Sequence, residues 1–226
     1  MDAVQILHED NHLLVVAKPA GLLVQGDASG DETLLDAGRA YLREKYAKPG
    51  NVYLGLVHRL DRNVSGVVVL ARTSKAAGRL SAQFRRGEVA KTYLAVVTGS
   101  PPDGNRELRA YLAAKGDQRG VTRAAEAPFT GAKEALLHYE VRARQHGHAL
   151  LEVRPGTGRR HQIRAQLALA GWPLLGDVKY GARERLPESR IALHAWKIAF
   201  AHPVGGQAVE IVCEPPVDWP WAILDI

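Results

Sequence analysis

The sequence predicts an α+β fold, and three observations carry the prediction. Short apolar runs rich in Val, Ile and Leu, bounded by turn residues, recur from Ile6 to Cys213 and outnumber the helical stretches. Three stretches, beginning near Thr33, Ser74 and His161, instead carry helical spacing or helix-stop residues. The chain has 226 residues, 46% of them hydrophobic, enough to bury a sizeable core as one large or two small domains.

The elements follow in order. Ile6-Leu7 and Leu13 to Ala17 read as strands separated by the polar turn Glu9-Asp10-Asn11-His12, and Lys18-Pro19-Ala20-Gly21 breaks the chain after them. Thr33 and Asp36 have the offset of a capping box and open a helix to about Tyr46. Arg43 and Lys45 suit its negative end, and Pro49-Gly50 stops it. Val52 to Val57 reads as a strand leading into a loop around Asp61. Val67 to Ala71 is apolar without alternation, the pattern of a strand buried on both faces. Ser74 to Arg86 reads as a helix with Ala77, Leu80 and Phe84 on one face, closed by Gly87. Val89 to Val97 is a strand on which Lys91 and Tyr93 share a face. From Pro101 to Glu134 Gly, Pro and charge dominate, and no element is predicted. Leu136 to Arg144 and Ala149 to Arg154 form a hairpin around His146-Gly147-His148. Gly156-Thr157-Gly158 leads into a helix from His161 to Ala170, stopped by Gly171 and Pro173. Ile191 to Phe200 and Gln207 to Cys213 complete the strands.

Composition narrows the function. No run approaches the roughly 18 apolar residues of a membrane span, and the N-terminus lacks the basic start and apolar stretch of a signal peptide. Cys213 is the only cysteine, which excludes an internal disulfide and a cysteine-based metal cluster. A cytoplasmic monomer is the expectation. The formal charge of +6 is unevenly spread. Eight Lys or Arg lie between His58 and Lys91 against two acids, four arginines and no acid lie between Arg154 and Arg164, and no Lys or Arg follows Lys197. Such segregation suggests a polyanionic partner, although Arg79, Arg85 and Arg86 alone also fit a solvated helix face.

His58-Arg59-Leu60-Asp61-Arg62-Asn63-Val64-Ser65-Gly66 sets one carboxylate among two arginines and a histidine, at the mouth of the apolar run. Neighbouring guanidinium groups favour the charged form of a carboxylate, which can then serve as nucleophile or base. Asp61 could instead satisfy turn amides or pair with Arg62. His58, His161 and Asp61 could in principle ligate a metal, but neither His58 nor His161 has a second His four residues away and no second carboxylate accompanies them. His146 and His148 read as turn residues and His194 as a core histidine. The string HRLD also occurs in kinase catalytic loops, but no Gly-rich phosphate loop or Asp-Phe-Gly accompanies it.

Three motifs stand together: HRLDRNVSG from His58, KTYLAVVTG from Lys91, and TGRRHQIRAQLALAGWPLLGDVKYG from Thr157. In this order they resemble the RluA-type family of RNA pseudouridine synthases, and the likeness extends from Glu9-Asp10 and Lys18-Pro19-Ala20-Gly21 to Leu193-His194-Ala195-Trp196 and His202-Pro203. The resemblance implies a single catalytic domain over residues 1–226, with a mixed, mostly antiparallel bent sheet and flanking helices around a basic cleft. It implies Asp61 as the catalytic aspartate, Tyr93 as the aromatic stacked on the target base, and Arg164 as the arginine paired with Asp61. Arg59 matches the arginine placed where a flipped nucleotide has left. His58, Arg62, Lys91, Arg159 and His161 are expected to contact RNA, either rRNA or tRNA. The implied reaction needs no cofactor and no metal. It does need a negative group near the ribose or uracil ring, a platform that retains a detached base, and a way to lift that base from its stack. Extrusion costs a few kcal/mol, and aromatic stacking offsets roughly 1–3 kcal/mol of it.

Two departures stand out: Val64 where the family usually has Thr, and Gln166 where it usually has His. Many relatives also begin with a small separate RNA-binding domain, whereas here the motifs begin within the first twenty residues, so the expectation is a catalytic domain that finds its RNA unaided. The rival readings are a catalytically inactive RNA-binding chaperone on the same fold and a metal-dependent phosphoesterase.

Overall fold

The computed structural model describes residues 4–27, 30–47, 49–114, 120–217 and 220–221. The chain forms two compact units, one of Met1–Ala90 with Ala195–Glu214 and one of Lys91–His194 with Pro215–Ile226. Among the described residues, no helix is long and apolar enough to cross a membrane.

The first unit holds β1 (Gln5–Glu9), β2 (Leu13–Lys18), α1 (Leu34–Lys45), β3 (Gly55–Leu56), β4 (Ser65–Ala71) and α2 (Ser74–Arg86). Strand β2 lies between β1 and β4, antiparallel to both, with Leu14 opposite Leu70 and Val16 opposite Val68. Every residue of β4 is buried, as its unbroken apolar run predicts. A fully buried Val or Leu contributes about 1.5–3 kcal/mol, so this strand pair is a main anchor of the unit. Gly38 of α1 lies so close to the sheet that a Cβ there would meet Leu54 Cδ2 at 2.7 Å. The predicted strand from Val52 to Val57 shortens to β3, two residues paired with β4.

Both helices start where their caps dictate. Thr33 Oγ1 accepts the Asp36 N–H at 3.2 Å and donates to its carboxylate at 2.6 Å. Thr73 caps α2 through the Ala76 N–H, and Gly87 closes it in the left-handed region at φ 74°. The face α2 buries is Ala76, Leu80 and Gln83, one position off the expected Ala77 and Phe84. The reason is a backbone mimic: the Gln83 amide donates to Ala201 O at 2.8 Å and accepts the Ala201 N–H at 3.0 Å. Satisfied in this way, a polar side chain can be buried.

The second unit holds β5 (Ala90–Thr98), β6 (Asn105–Ala114), β7 (Thr122–Ala125), β8 (Lys133–Gln145), β9 (His148–Pro155) and α3 (Gln162–Leu169). Its strands run in the order β5-β9-β8-β6-β7, each pair antiparallel. The β8–β9 hairpin turns on His146 and Gly147 at φ 50° and 77°, the two positive dihedrals of a type I′ connection. Strands β6 and β7 occupy the segment for which the sequence predicts nothing. Helix α3 is buried from Gln162 to Leu167. Gln166, one of the departures from the family pattern, donates to Leu108 O at 2.9 Å and Ala135 O at 3.2 Å, tying α3 to β6 and β8. The remaining strands are β10 (Leu193–Ala201) and β11 (Ala208–Val212), which pair with each other. The mixed sheet with three helices is the α+β architecture the sequence predicts.

Candidate active site

The Asp61 loop is held at both ends and from beneath. Leu60 and Val64, 8% and 2% exposed, are buried on either side of Asp61, and the Val64 N–H closes a turn onto Asp61 O at 3.1 Å. The His58 ring stacks on Phe84, centroids 4.8 Å apart, while its Nε2 accepts the Val69 N–H at 2.9 Å. Phe84, off the buried face of α2, thus serves as the floor for His58. Gly66 follows at φ 120°, where a Cβ would lie 2.3 Å from Ala195 O, so only glycine lets β4 pass this close to β10. The carboxylate of Asp61 is half-buried, and Arg59 and Arg62 on either side are exposed.

Sequence reasoning missed a second charge in this loop. Lys18, at the end of β2, is 1% exposed, and its ammonium donates to Pro19 O at 2.9 Å, Leu22 O at 2.8 Å and Arg62 O at 3.1 Å. Three donors meet three carbonyls, so the group is fully satisfied. Arg62 O also accepts the Gly21 N–H at 2.8 Å, and the Arg62 guanidinium reaches back to Gly21 O and to Asp31, both at 2.9 Å. The Lys18-Pro19-Ala20-Gly21 break is thereby laced to the Asp61 loop. Burial pushes the Lys18 amine down to about 7, and the negative charge of Asp61 pulls it the other way. The signal available in the sequence was a lysine directly following an unbroken apolar run.

The remaining candidate residues lie in the second unit. Tyr93 is half-buried on β5 opposite Val153, and Lys91 is on the same face with its amine lowered by burial. Arg164 is buried on α3 and forms a two-pronged pair with Asp177, Nε to Oδ2 at 2.7 Å and Nη2 to Oδ1 at 2.8 Å. The Tyr180 ring covers the guanidinium at 4.9 Å. Tyr180 Oη accepts the Thr122 N–H at 2.8 Å and stands 2.8 Å from His161 Nδ1. His161 takes the left-handed dihedral φ 51° as it leads into α3. Arg159 is exposed and donates from Nε to Glu134 O at 3.3 Å. Asp177 was not singled out from the sequence, although it is an acid embedded in the apolar stretch after Trp172.

Two of the basic residues on α2 are partly spoken for. Arg86 forks onto Glu88 at 2.6 and 2.7 Å, and Arg79 donates to Pro203 O at 2.6 Å. Among the described residues, no group of three His, Cys, Asp or Glu is arranged to hold a metal ion.

A carboxylate on a pinned turn over a buried ammonium, an aromatic on a strand and a buried arginine are the three motifs in three dimensions. The sequence model for RNA pseudouridylate synthases matches residues 12–169, which include Asp61, Tyr93 and Arg164. The chain belongs to the RNA pseudouridylate synthase family. It is 38% identical over 227 residues to ribosomal large subunit pseudouridine synthase D of Xylella fastidiosa, covering 94% of this chain and 66% of that protein. The protein of the same name from Zymomonas mobilis is 35% identical, over 95% of this chain and 70% of its own length. Among solved structures, human RNA pseudouridylate synthase domain containing 4 superimposes with a TM-score of 0.73 at 27% identity, covering 93% of this chain and 88% of that one. This chain therefore spans about two thirds of the length of its bacterial relatives.

Proposed function

We propose that this chain is an RNA pseudouridine synthase acting on large-subunit ribosomal RNA, with Asp61 as its catalytic carboxylate. The observation that carries the proposal is the Asp61 turn, a half-buried carboxylate fixed by Leu60, Val64 and His58 beside a buried ammonium, in a chain of this family. The choice of RNA follows the relatives, which are named for the large ribosomal subunit.

In the reaction the C1′–N1 bond of uridine breaks, the uracil turns, and a C1′–C5 bond forms. The hydrogen on C5 leaves as a proton, and N1 takes one up, so no oxidant or reductant is consumed. Asp61 acts as nucleophile at C1′ or C6, or as base at C2′. Tyr93 offers a ring face that keeps the detached uracil in place, and Arg164 is the counter-charge to Asp61. Arg59, His58, Arg62, Lys91, Arg159 and His161 contact the RNA. The enzyme works as a monomer in the cytoplasm, without a metal.

Tritium release from a large-subunit rRNA transcript labelled at uridine C5 tests the proposal. Wild type releases tritium, with or without EDTA, whereas Asp61→Asn falls to background with RNA affinity within about twofold, because affinity comes from phosphate contacts. Substantial turnover by Asp61→Asn overturns the assignment. Binding without any turnover by wild type favours an RNA chaperone.

A further inference from the structure

Two cations meet at Gly120. Arg160 Nη2 and Lys179 Nζ lie 3.0 and 3.7 Å from the point a Cβ on Gly120 would occupy. Both side chains are exposed, and among the described residues neither head group has a carboxylate partner. Like charges do not gather without compensation unless something holds them or something anionic joins them. Here the backbone holds them. Thr122, 4% exposed, donates its hydroxyl to Arg160 O at 3.1 Å and its N–H to the hydroxyl of Tyr180, the residue after Lys179, at 2.8 Å. Gly120 itself sits at φ 59°, and the absence of a side chain there lets both heads approach its backbone, since a Cβ would crowd the Arg160 guanidinium.

We propose that Arg160 and Lys179 together seat one backbone phosphate of the substrate RNA at Gly120. The guanidinium supplies planar paired donors and the ammonium a point charge, the two usual ways of holding a phosphate oxygen. The site is open and polar, unlike the concave, mostly apolar pockets that enclose small molecules, so it suits a polymer's phosphate. Its place also fits. Arg160 precedes His161 and Lys179 precedes Tyr180, and these two neighbours are 2.8 Å apart beside the buried Arg164. A phosphate held here anchors the strand next to the arginine lock of the second unit. This inference rests on the RNA pseudouridine synthase reading; both residues lie in the third motif, but neither is among the residues assigned to RNA contact above.

Binding of an unmodified large-subunit rRNA transcript across a salt series tests it, using Arg160→Gln, Lys179→Gln, the double variant and Lys179→Arg. One shared phosphate contributes about 0.7–0.9 to the slope of log K against log salt. The double variant is expected to lose that amount once, with Kd raised about tenfold at moderate salt. The single variants should be non-additive, because each removes part of the same contact. Lys179→Arg should keep the slope, and melting temperatures should stay level, since both side chains are exposed. The single-turnover rate at saturating RNA should remain within about twofold of wild type. A double variant with unchanged slope and Kd within twofold overturns the subsite, as does an additive loss of twice that slope, which means two separate phosphates. Failure of the underlying reading has a different signature, absence of pseudouridine formation by wild type, and the binding slopes are read independently of turnover.

Discussion

Arg164 and Asp177 meet side by side in a buried fork, with side chains 7% and 1% exposed. The carboxylate fixes the guanidinium in its plane, and the Tyr180 ring fixes its face. Removing one partner of a buried pair leaves an uncompensated charge and costs about 3–5 kcal/mol. Asp177→Asn should therefore lower the melting temperature clearly, and should slow the single-turnover rate at least tenfold while RNA affinity stays within about twofold. Tyr180→Phe keeps the ring over Arg164 but gives up the contacts to Thr122 and His161, and should be milder in both respects. A folded Asp177→Asn with wild-type turnover would show that Arg164 need not be held.

Lys18 gives a pH test. Its amine titrates at about 7 in the folded chain, against the ordinary lysine value of 10.5. Between those values the unfolded chain carries the extra proton, so the contribution of this group to stability grows as pH rises through the window. Lys18→Met removes that dependence and strands the carbonyls of Pro19 and Leu22, at about 1–3 kcal/mol for each one left unsatisfied, whereas Arg62 O keeps the Gly21 N–H. Denaturant melts from pH 7 to 10 should show a flatter profile for the variant than for wild type. Parallel profiles would mean that Lys18 keeps its proton throughout.

Legibility in the sequence followed how local each cause was. Strand β4 and helix α2 were readable because an apolar run and a Thr73–Gly87 pair of caps act within a few residues. The polar, exposed start of β6 carries no such signal. It is a strand because Leu108 and Ala110 pair with Leu137 and Ala135, far along the chain. The same contrast runs through the site. Asp61 announces itself in its motif, but the burial of Lys18 depends partly on a carbonyl 44 residues away, and that of Arg164 on an acid 13 residues away. Gln83 escaped notice because its burial depends on pairing with Ala201, 118 residues distant.

Two acids make the first unit sensitive to low pH. Burial pushes Glu9 up, but hydrogen bonds from Lys45, Tyr46 and Tyr41 outweigh it and hold the carboxyl at about 2, with Arg72 at 3.0 Å. Burial likewise raises Asp10, and bonds from the His12 N–H, His8, the Leu13 N–H and His202 bring it to about 2. Both folded values lie below the ordinary 4.5 and 3.8, so their stabilisation is complete above that range and is lost as pH falls towards 2. Each contributes on the order of 2–3 kcal/mol near neutrality. Thermal melts between pH 5 and pH 2 should drop steeply for wild type and less so for Glu9→Gln, which starts lower. An identical slope in the two proteins would remove Glu9 from the acid response.

Arg59 separates base extrusion from chemistry. It is exposed, while its neighbours are not free to move: His58 is stacked on Phe84 and bonded to Val69, and Leu60 is buried. A guanidinium projecting from so fixed a backbone can fill the space left by a departing base and stack on its neighbours, offsetting part of the few kcal/mol of unstacking. Arg59→Ala should then slow single turnover by tenfold or more on a stem-loop whose target uridine is stacked or paired. On an unstructured oligomer with the same target the loss should be a few-fold, because extrusion costs least there. Asp61→Asn should be equally inactive on both. If Arg59 acts instead by tuning the Asp61 carboxylate, both RNAs suffer alike, since the field at the carboxylate does not depend on how the uridine was stacked. Equal fractional losses on the stem-loop and the oligomer therefore rule out the wedge.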